Sequence, residues 1–246
     1  MSLPHAGLVV ALARECRSLR CTPPVGAVTA LGPRAMILVA GIGTGNAARG
    51  AAELVAAGAT GLLSWGCAGG LARDAASGDL CLPAAVVSAR GDVLAVDPAW
   101  RARVLEAIGA NLVVHAGTIV TRERPAASPE DKRALAVAHP DAVAVDMESA
   151  AVAEVAQAHA LPFLAVRAIV DTVDFALPSS ALAASDAGGA DALVAVTGAL
   201  ARRPGEIADL LRLARSFRAA MRTLARVAGL AGADFMLPAA PPPAAP

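Results

Sequence analysis

The chain has 246 residues, of which 56% are hydrophobic and 17% charged, and its 21 basic side chains are balanced by 21 acidic ones. This length suits one α/β domain, and a chain of this size buries about 70% of its unfolded surface on folding. A balanced charge with 2% aromatic residues argues against a nucleic-acid binder, which uses a basic face or stacking aromatics.

The cysteines and histidines show neither metal-site nor disulfide spacing. The cysteines are Cys16, Cys21, Cys67 and Cys81. None forms a CxxC pair and the histidines are scattered, so we expect no metal and reduced thiols in a cytoplasmic protein. A run of about 18 apolar residues would predict a membrane-spanning helix. The chain lacks such a run. The first apolar run, 7–12, is interpreted as a strand and not as a signal peptide.

Strands and helices are predicted to alternate along the chain. Strands are predicted at 7–12, 60–65, 84–88, 113–121, 142–145 and 162–170, with a hairpin over 25–40. Helices are predicted at 47–57, 98–110, 132–139, 150–159, 192–201 and 205–228, the third with Ser128 as its N-cap. This order predicts an α/β fold with a mostly parallel, mixed central sheet flanked by helices.

Two glycine-rich segments follow predicted strands. The first contains Gly43, and the second runs Gly66-Cys67-Ala68-Gly69. Such loops let free backbone N–H groups approach a ligand, although a simple tight turn is the alternative for the first. That segment is not GxGxxG and lacks the acidic residue that follows in dinucleotide sites, so we discount a dinucleotide cofactor.

Acidic side chains stand at the ends of predicted strands. Glu15 follows the first strand, Asp146 and Glu148 follow 142–145, and Asp171 follows 162–170. Ligands bind at strand ends in open α/β sheets, so these acids predict acid/base chemistry on a polar organic substrate. The alternatives are a surface pair of Glu15 with a neighbouring arginine, and a role for Asp146 or Glu148 in capping the following helix or complementing its dipole.

These motifs, taken in order, resemble the purine/uridine phosphorylase and nucleosidase superfamily. The matching blocks are 7–15, 41–43, 66–70, 145–148 and 166–171, and together they span 7–174. Block 7–15 is similar to the methylthioadenosine/S-adenosylhomocysteine nucleosidases. The resemblance implies a single-domain nucleoside phosphorylase-like fold and an enzyme that cleaves N-glycosidic bonds.

The resemblance also implies a role for each candidate residue. Glu148, with Met147, would hold the ribose hydroxyls, Asp171 would protonate N7 of the leaving base, and Glu15 would activate water for attack at C1′. A buried carboxyl can have its pKa raised enough to act as the acid. The remaining residues expected at substrate, base or anion loops are Gly43, Gly66, Cys67, Ala68, Gly69 and Val170.

Hydrolysis and phosphorolysis both remain open at this point. Ser64 and Cys67 stand where the phosphorylases have a phosphate-binding Arg and Ser, which favours hydrolysis without any cofactor. If the reaction is phosphorolytic, inorganic phosphate is the co-substrate, and the cation would come from Arg14, Arg49 or Arg90. Pro125 replaces the aromatic residue that stacks on adenine in the nucleosidases, and Val170 replaces a usual Ser.

The C-terminal third resembles the hopanoid-associated nucleosidases, also labelled phosphorylases. The matching segments are 177–182, 200–205 and the Arg-rich helix 205–228. This implies removal of adenine from adenosylhopane, which leaves ribosylhopane. A basic helix with an apolar stripe can lie in a membrane interface, so we expect a cytoplasmic protein with peripheral contact at the inner membrane. In the alternative, the stripe packs on the domain or on a partner subunit.

The predicted organisation is a catalytic domain at 1–180, a helical extension at 181–237 and a disordered Pro/Ala tail at 238–246. The family resemblance implies a homodimer and a small-molecule or lipid-linked nucleoside as substrate. Three alternatives remain: a phosphorolytic purine nucleoside phosphorylase, a soluble methylthioadenosine/S-adenosylhomocysteine nucleosidase, and a non-catalytic nucleoside-binding protein.

Overall fold

A computed structural model describes residues 5–182 and 204–238 of the chain. Its strands are β1 Ala6–Val10, β2 Thr29–Gly32, β3 Ala35–Val39, β4 Gly61–Gly70, β5 Leu80–Cys81, β6 Ala85–Val87, β7 Val93–Ala95, β8 Val114–His115, β9 Thr118–Thr121, β10 Ala142–Asp146 and β11 Phe163–Asp171. Its α-helices are α1 Thr44–Ala56, α2 Pro98–Ile108, α3 Pro129–Ala138, α4 Ser149–Ala158 and α5 Ile207–Ala231. Short 3-10 helices lie at Glu15–Leu19, Gly109–Asn111 and Pro204–Glu206.

The strands form one mixed sheet with helices around it, which confirms the predicted α/β fold. The main order is β2-β3-β1-β4-β10-β9-β6-β7, and β11 branches from β4 to meet β5, which pairs with β8. β1 runs parallel to both β3 and β4, and β11 runs parallel to β4. β10 runs antiparallel to β4. The ends of β10 and β11 therefore meet at the second half of β4.

The core explains why the strands have continuous apolar runs. Every residue of β1 and β11 is buried, as expected for strands covered on both faces. α1 packs on α4, and α5 packs on β11 and on the 3-10 helix at Glu15–Leu19. Ser128 caps α3 as predicted, because its side chain accepts a hydrogen bond from the N–H of Asp131.

The second glycine-rich segment was expected as a loop, but it is the second half of β4. Gly69 and Gly70 pair with β10, and β4 stays paired with β11 as far as Asp171. A Cβ on Gly69 would lie 3.3 Å from side-chain atoms of both Asp171 and Val145. Close packing between strands therefore favours glycine here, and the segment is a strand where the sequence predicted a loop.

The other predicted boundaries differ less. The strand predicted at 113–121 divides into β8 and β9, and the hairpin predicted over 25–40 is β2 and β3. The helix predicted at 192–201 lies outside the described residues, as does 239–246 of the predicted tail. The division of the chain at residue 181 stays a prediction.

The two halves of α5 have different surroundings. Leu224 and Val227 in its second half are buried against the core, whereas Ile207 and Leu211 in its first turns are 51% and 55% exposed. The apolar stripe thus packs on the domain from Leu213 onward, and membrane contact by the exposed first turns stays a prediction. Within the described ranges, no helix is long and apolar enough to cross a bilayer.

Candidate active site

A cavity of about 690 Å³ opens where β1, β10 and β11 end beside the second half of β4. The predicted site residues that line it are Glu15, Cys67, Ala68, Gly69, Met147, Glu148, Val170 and Asp171. Gly43 and Gly66 are not among its lining residues. The structure therefore brings the three predicted acids to one cavity, and each acid is buried, with 2%, 6% and 8% exposure for Glu15, Glu148 and Asp171.

Glu15 is held by backbone hydrogen bonds at the start of its 3-10 helix. Its Oε2 accepts from the N–H of Leu12 (3.0 Å) and its Oε1 accepts from the N–H of Cys67 (2.9 Å). Burial raises the pKa of its carboxyl, while the positive charge of Arg167 opposes that rise. The alternative of an exposed surface pair is wrong, because the side chain faces the cavity and not solvent.

Glu148 occupies the N-cap position of α4, yet its side chain does not cap the helix. Its Oε1 instead accepts from the N–H of Gly43 (3.0 Å), and its Oε2 lies 3.4 Å from the guanidinium of Arg167. The N–H of Gly43 was expected to be free for a ligand, but here it holds the acid. Burial raises the pKa of Glu148 to about 7, and the nearby charge of Asp146 adds to the rise.

Asp146 makes the helix-capping contact that the sequence offered as an alternative, and it makes a second contact that the sequence did not predict. Its carboxylate accepts from the N–H of Ser149 (3.3 Å) at the start of α4 and from the hydroxyl of Thr121 (2.7 Å). It also forms a salt bridge of 2.9 Å with Arg167. Asp146 therefore supports both the helix start and the buried cation.

Arg167 is a functional residue to which the sequence reasoning assigned no role. It projects from the middle of β11, is 1% exposed, and donates to the hydroxyl of Ser64 (2.8 Å). Its guanidinium also contacts Asp146 and Glu148. These acids and Glu15 raise the pKa of the arginine and keep it charged. The available signal was a charged residue inside an otherwise apolar strand, since a buried charge requires partners.

Gly66 explains how Glu15 and Arg167 can lie so close to β4. A Cβ at this position would stand 2.7 Å from Glu15 Oε1 and 2.8 Å from Arg167 Nη1. Real Cβ atoms do not approach other atoms so closely, so any side chain here would push the acid or the arginine away. Gly66 thus makes room for the charged cluster, and its expected role at a substrate loop stays a prediction.

Lys132 is the second residue that sequence reasoning missed. Its ammonium donates to Asp171 Oδ2 and to the carbonyls of Thr172 (2.9 Å) and Phe175 (2.8 Å). Burial raises the pKa of Asp171 above its usual range, and the positive charge of Lys132 opposes the rise. The acid assigned to the leaving base is therefore buried and paired with a buried cation.

The cations considered for phosphate have different positions. Arg90 pairs with Asp92 and Glu154, and Arg49 donates to Asn46 at the surface. Neither is among the residues that line the cavity, whereas Arg14 is. The guanidinium of Arg14 lies 4.8 Å from the ring centre of Phe217 on α5.

The part of the cavity lining that α5 and the segment 177–182 contribute is largely apolar. Pro125 lines the cavity, as expected from its position in the loop before α3. The first half of α5 and the segment 177–182 complete the wall with Leu177, Leu182, Leu210, Leu213, Ala214 and Phe217. Glu206 ties these two segments together, because it accepts hydrogen bonds from the side chains of Ser179 and Ser180.

Comparisons with known proteins identify the family of the chain and structures with a similar fold. A sequence profile described as the phosphorylase superfamily matches residues 25–203. The fold is similar to futalosine hydrolase of Helicobacter pylori, at 18% identity and a TM-score of 0.66 over 92% of this chain and 97% of that chain. It is also similar to the 5′-methylthioadenosine/S-adenosylhomocysteine nucleosidase of Neisseria meningitidis in complex with methylthio-immucillin-A, at 20% identity and a TM-score of 0.65 over 92% and 98%.

A third similar structure is the MTA/SAH nucleosidase of Streptococcus pneumoniae in complex with 8-aminoadenine. It is 21% identical, with a TM-score of 0.67 over 91% of this chain and 96% of that chain. At these identities, the likeness concerns the fold. No curated protein sequence matches the chain.

Proposed function

Because the chain belongs to the phosphorylase superfamily, we propose that it is a nucleosidase that hydrolyses a 5′-substituted adenosine. Membership of this superfamily makes the chain an N-glycosidic bond hydrolase or phosphorylase. The observation that carries this proposal is the arrangement of the acids around one cavity. Glu15 and Glu148 flank Arg167, and Asp171 lines the same cavity with its own cation behind it. In this proposal, the arrangement provides a base, a group that holds the ribose and an acid, all for the cleavage of one N-glycosidic bond.

In the proposed mechanism, the bond between C1′ and N9 breaks as Asp171 gives its proton to N7 of the purine. Protonation turns the departing base into a neutral leaving group, and the ribose becomes an oxocarbenium-like cation. Glu15 takes a proton from the water that attacks C1′. Glu148, with Met147, holds the ribose hydroxyls. The products are free adenine and a ribose with a hydroxyl at C1′.

Burial is the largest influence on both acids, and it raises the pKa of each. A raised pKa suits Asp171, because a carboxyl acts as an acid near neutral pH only when it keeps its proton. Glu15 must be ionised to act as a base, and the positive charge of Arg167 opposes the rise in its pKa. The pKa directions are alike for the two acids, so the division of roles in this proposal rests on the family resemblance.

The charges around Arg167 favour hydrolysis over phosphorolysis. One guanidinium stands among three acids, namely Glu15, Asp146 and Glu148. A phosphate dianion at this place would meet like charges, whereas an oxocarbenium cation would be attracted. Ser64, at a phosphate-binding position of the phosphorylases, is fully buried and accepts its hydrogen bond from Arg167.

Base release is therefore expected to proceed without phosphate. Adenosylhopane, methylthioadenosine and inosine would each be incubated in phosphate-free buffer and in buffer with phosphate, and free base would be measured. For each nucleoside that is cleaved, we expect the same rate of base release in both buffers, with sulfate at equal ionic strength as the control. A strict dependence on phosphate would overturn hydrolysis and favour the phosphorylase alternative.

The apolar wall supports a 5′-substituent of hydrocarbon character. Leu210, Leu213 and Phe217 of α5 face the cavity that also holds the acids. An apolar group gains about 25 cal/mol for each Å² that it removes from water. We propose adenosylhopane as the substrate and ribosylhopane as the product. Release from methylthioadenosine alone would favour the soluble alternative.

A lipid-linked substrate also gives α5 a role at a membrane surface. Ile207 and Leu211 are exposed on its first half, and the same helix carries Arg212, Arg215 and Arg222. Such a face can bind an anionic bilayer. We therefore propose peripheral contact of this helix with the inner membrane, and a homodimer as the assembly, which light scattering would test.

The combined substitution of Ile207→Ser and Leu211→Ser is expected to weaken binding to anionic liposomes by roughly 30-fold. Each side chain is about half exposed, so each has about 1 kcal/mol of further burial to gain, and 2 kcal/mol in total is about 30-fold. Cosedimentation measures the binding, and the melting temperature should stay unchanged. Val137→Ser is the control, since Val137 is 80% exposed on α3. Unchanged liposome binding would contradict membrane contact by α5 and leave packing as the only role of its apolar stripe.

A further inference from the structure

Lys132 is the only lysine in the chain, and it is completely buried. Lysine is almost never fully buried unless it is paired, because its charge loses its hydration. A single lysine placed at 0% exposure beside a catalytic carboxyl therefore needs an account. The mechanism above places this cation beside Asp171 but gives it no step.

The ammonium of Lys132 has three acceptors. They are Asp171 Oδ2, the carbonyl of Thr172 at 2.9 Å and the carbonyl of Phe175 at 2.8 Å. An ammonium has three donors, so this set satisfies all of them. Two of the contacts are with carbonyls of the segment that follows β11, and the lysine comes from α3. The lysine thus fixes the end of β11, with its carboxyl, to a different element.

The placement of the two partners differs. Asp171 lines the cavity, whereas Lys132 is not among its lining residues. The lysine therefore acts on Asp171 from the protein side and leaves the cavity side of the carboxyl to the substrate. We propose that Lys132 is a positioning residue that holds Asp171 towards the leaving base and sets the pH range in which it carries its proton. This inference rests on the proposed nucleosidase function.

The other charged groups near the pair have their own partners or positions. Arg133 of α3 bridges to Asp174 at 2.6 Å on the surface. Glu123 and Arg124 from the loop before α3, and Glu15 and Glu148 across the cavity, share the cavity with Asp171. Lys132 is the charged group that opposes the rise in the pKa of Asp171 through both its charge and its hydrogen bond. Replacing Lys132 is therefore expected to change the pKa of Asp171 and, with it, the pH dependence of activity.

The first test compares the pH dependence of kcat in the wild type, Lys132→Met and Lys132→Arg. A general acid stops working above its pKa, so activity falls as pH rises through the pKa of Asp171. An adjacent cation lowers a carboxyl pKa by about 1–3 units. Its removal in Lys132→Met should move the falling limb up by about that amount. The limb of Lys132→Arg, which keeps the charge, should stay close to that of the wild type.

The rates should change separately from substrate binding. A misplaced catalytic group costs about 10- to 100-fold in rate, so kcat of Lys132→Met should fall by about this factor while KM changes by less than about 3-fold. Arg133→Met is the matched control, because Arg133 is the next residue of α3 and faces solvent. It should keep the wild-type kcat and pH profile. A purely structural lysine would reduce the yield of folded enzyme without moving the limb.

A second measurement works on the wild-type protein. Because the chain has one lysine, 13C-labelled lysine gives one Cε signal in an NMR spectrum, and that signal reports on the Asp171 pair. Binding of adenine should shift this signal. If Lys132→Met does not fold, the proposed role of Lys132 is tested by the shift of the Cε signal on adenine binding and by the pH profile of Lys132→Arg.

The outcomes are distinct. A wild type that releases no base from any nucleoside overturns the nucleosidase and, with it, this role of the lysine. An active wild type whose pH profile and kcat are unchanged in Lys132→Met overturns the role of the lysine alone. A Cε signal that does not respond to adenine likewise counts against it.

Discussion

Asp171→Asn is expected to lower kcat by about 10²–10⁴-fold, which is the usual contribution of a general acid. The amide has nearly the shape of the carboxyl, and its oxygen can still accept from Lys132. It has no carboxyl proton to give to N7, so the base must leave as an anion. Because only the proton is lost, the dissociation constant of the nucleoside should change by less than about 10-fold.

The assay for Asp171→Asn has two parts. Adenine release gives kcat, and calorimetry with the unreacted nucleoside gives the affinity. Asp174→Asn is the matched control, because Asp174 is a nearby acid that pairs with Arg133 at the surface. It should behave as the wild type. Near-normal turnover in Asp171→Asn would remove Asp171 from the chemistry.

The acids at strand ends could be predicted from the sequence because chain order and topology act together. Parallel strands end at one edge of a sheet, and Glu15 and Asp171 follow strands that are both parallel to β4. An apolar run followed by an acid is therefore enough to predict that the two acids converge. Their hydrogen bonds depend on the exact register and could not be predicted.

The cations of the site could not be predicted because a charged residue ordinarily indicates a surface. Lys132 begins a helix predicted at 132–139, and only the packing of α3 reveals that its side chain is buried. Arg167 gave a clearer signal, since it interrupts the apolar run of β11. A lone charge in a buried strand has to meet opposite charges, and the strand-end acids were the available partners.

The wall of the cavity was missed for a different reason. The sequence pattern predicted a single role for the whole apolar stripe of α5. In the structure, different parts of this stripe have different surroundings. Leu224 is buried in the core, Leu213 lines the cavity and Leu211 faces solvent. A periodic pattern shows which residues share a face, and the element packed against that face decides what each half does.

Arg167→Met is expected to destabilise the fold by about 3–5 kcal/mol at neutral pH, the cost of removing one partner from a buried ion cluster. Methionine fills part of the space but leaves Asp146, Glu148 and Glu15 without their shared cation. The pKa values of Glu15 and Glu148 are already raised by burial, and the arginine opposes that rise. Without it, these pKa values should rise further.

The loss in Arg167→Met should shrink as the pH falls. A carboxyl whose pKa is higher in the folded than in the unfolded state binds more protons in the folded state. The contribution of that carboxyl to the free energy of unfolding therefore falls as the pH rises from its pKa in the unfolded state towards its pKa in the folded state. For Glu148, whose folded pKa is about 7 with the arginine present, this window runs from about pH 4.5 to beyond pH 7 in the variant. Urea unfolding at pH 5 and pH 8 should thus give different losses relative to the wild type.

Two control variants separate the cluster from a general effect of losing an arginine. Arg133→Met removes an exposed salt bridge and should cost less than about 1 kcal/mol at either pH. Adding Asp146→Asn to Arg167→Met removes the acid that lies 2.9 Å from the guanidinium, so the double variant should regain part of the lost stability. A loss in Arg167→Met that is the same at both pH values and in the double variant would mean that the residue stabilises the fold by packing. A loss that depends on both would mean that the cation is what allows three acids to share the base of the cavity.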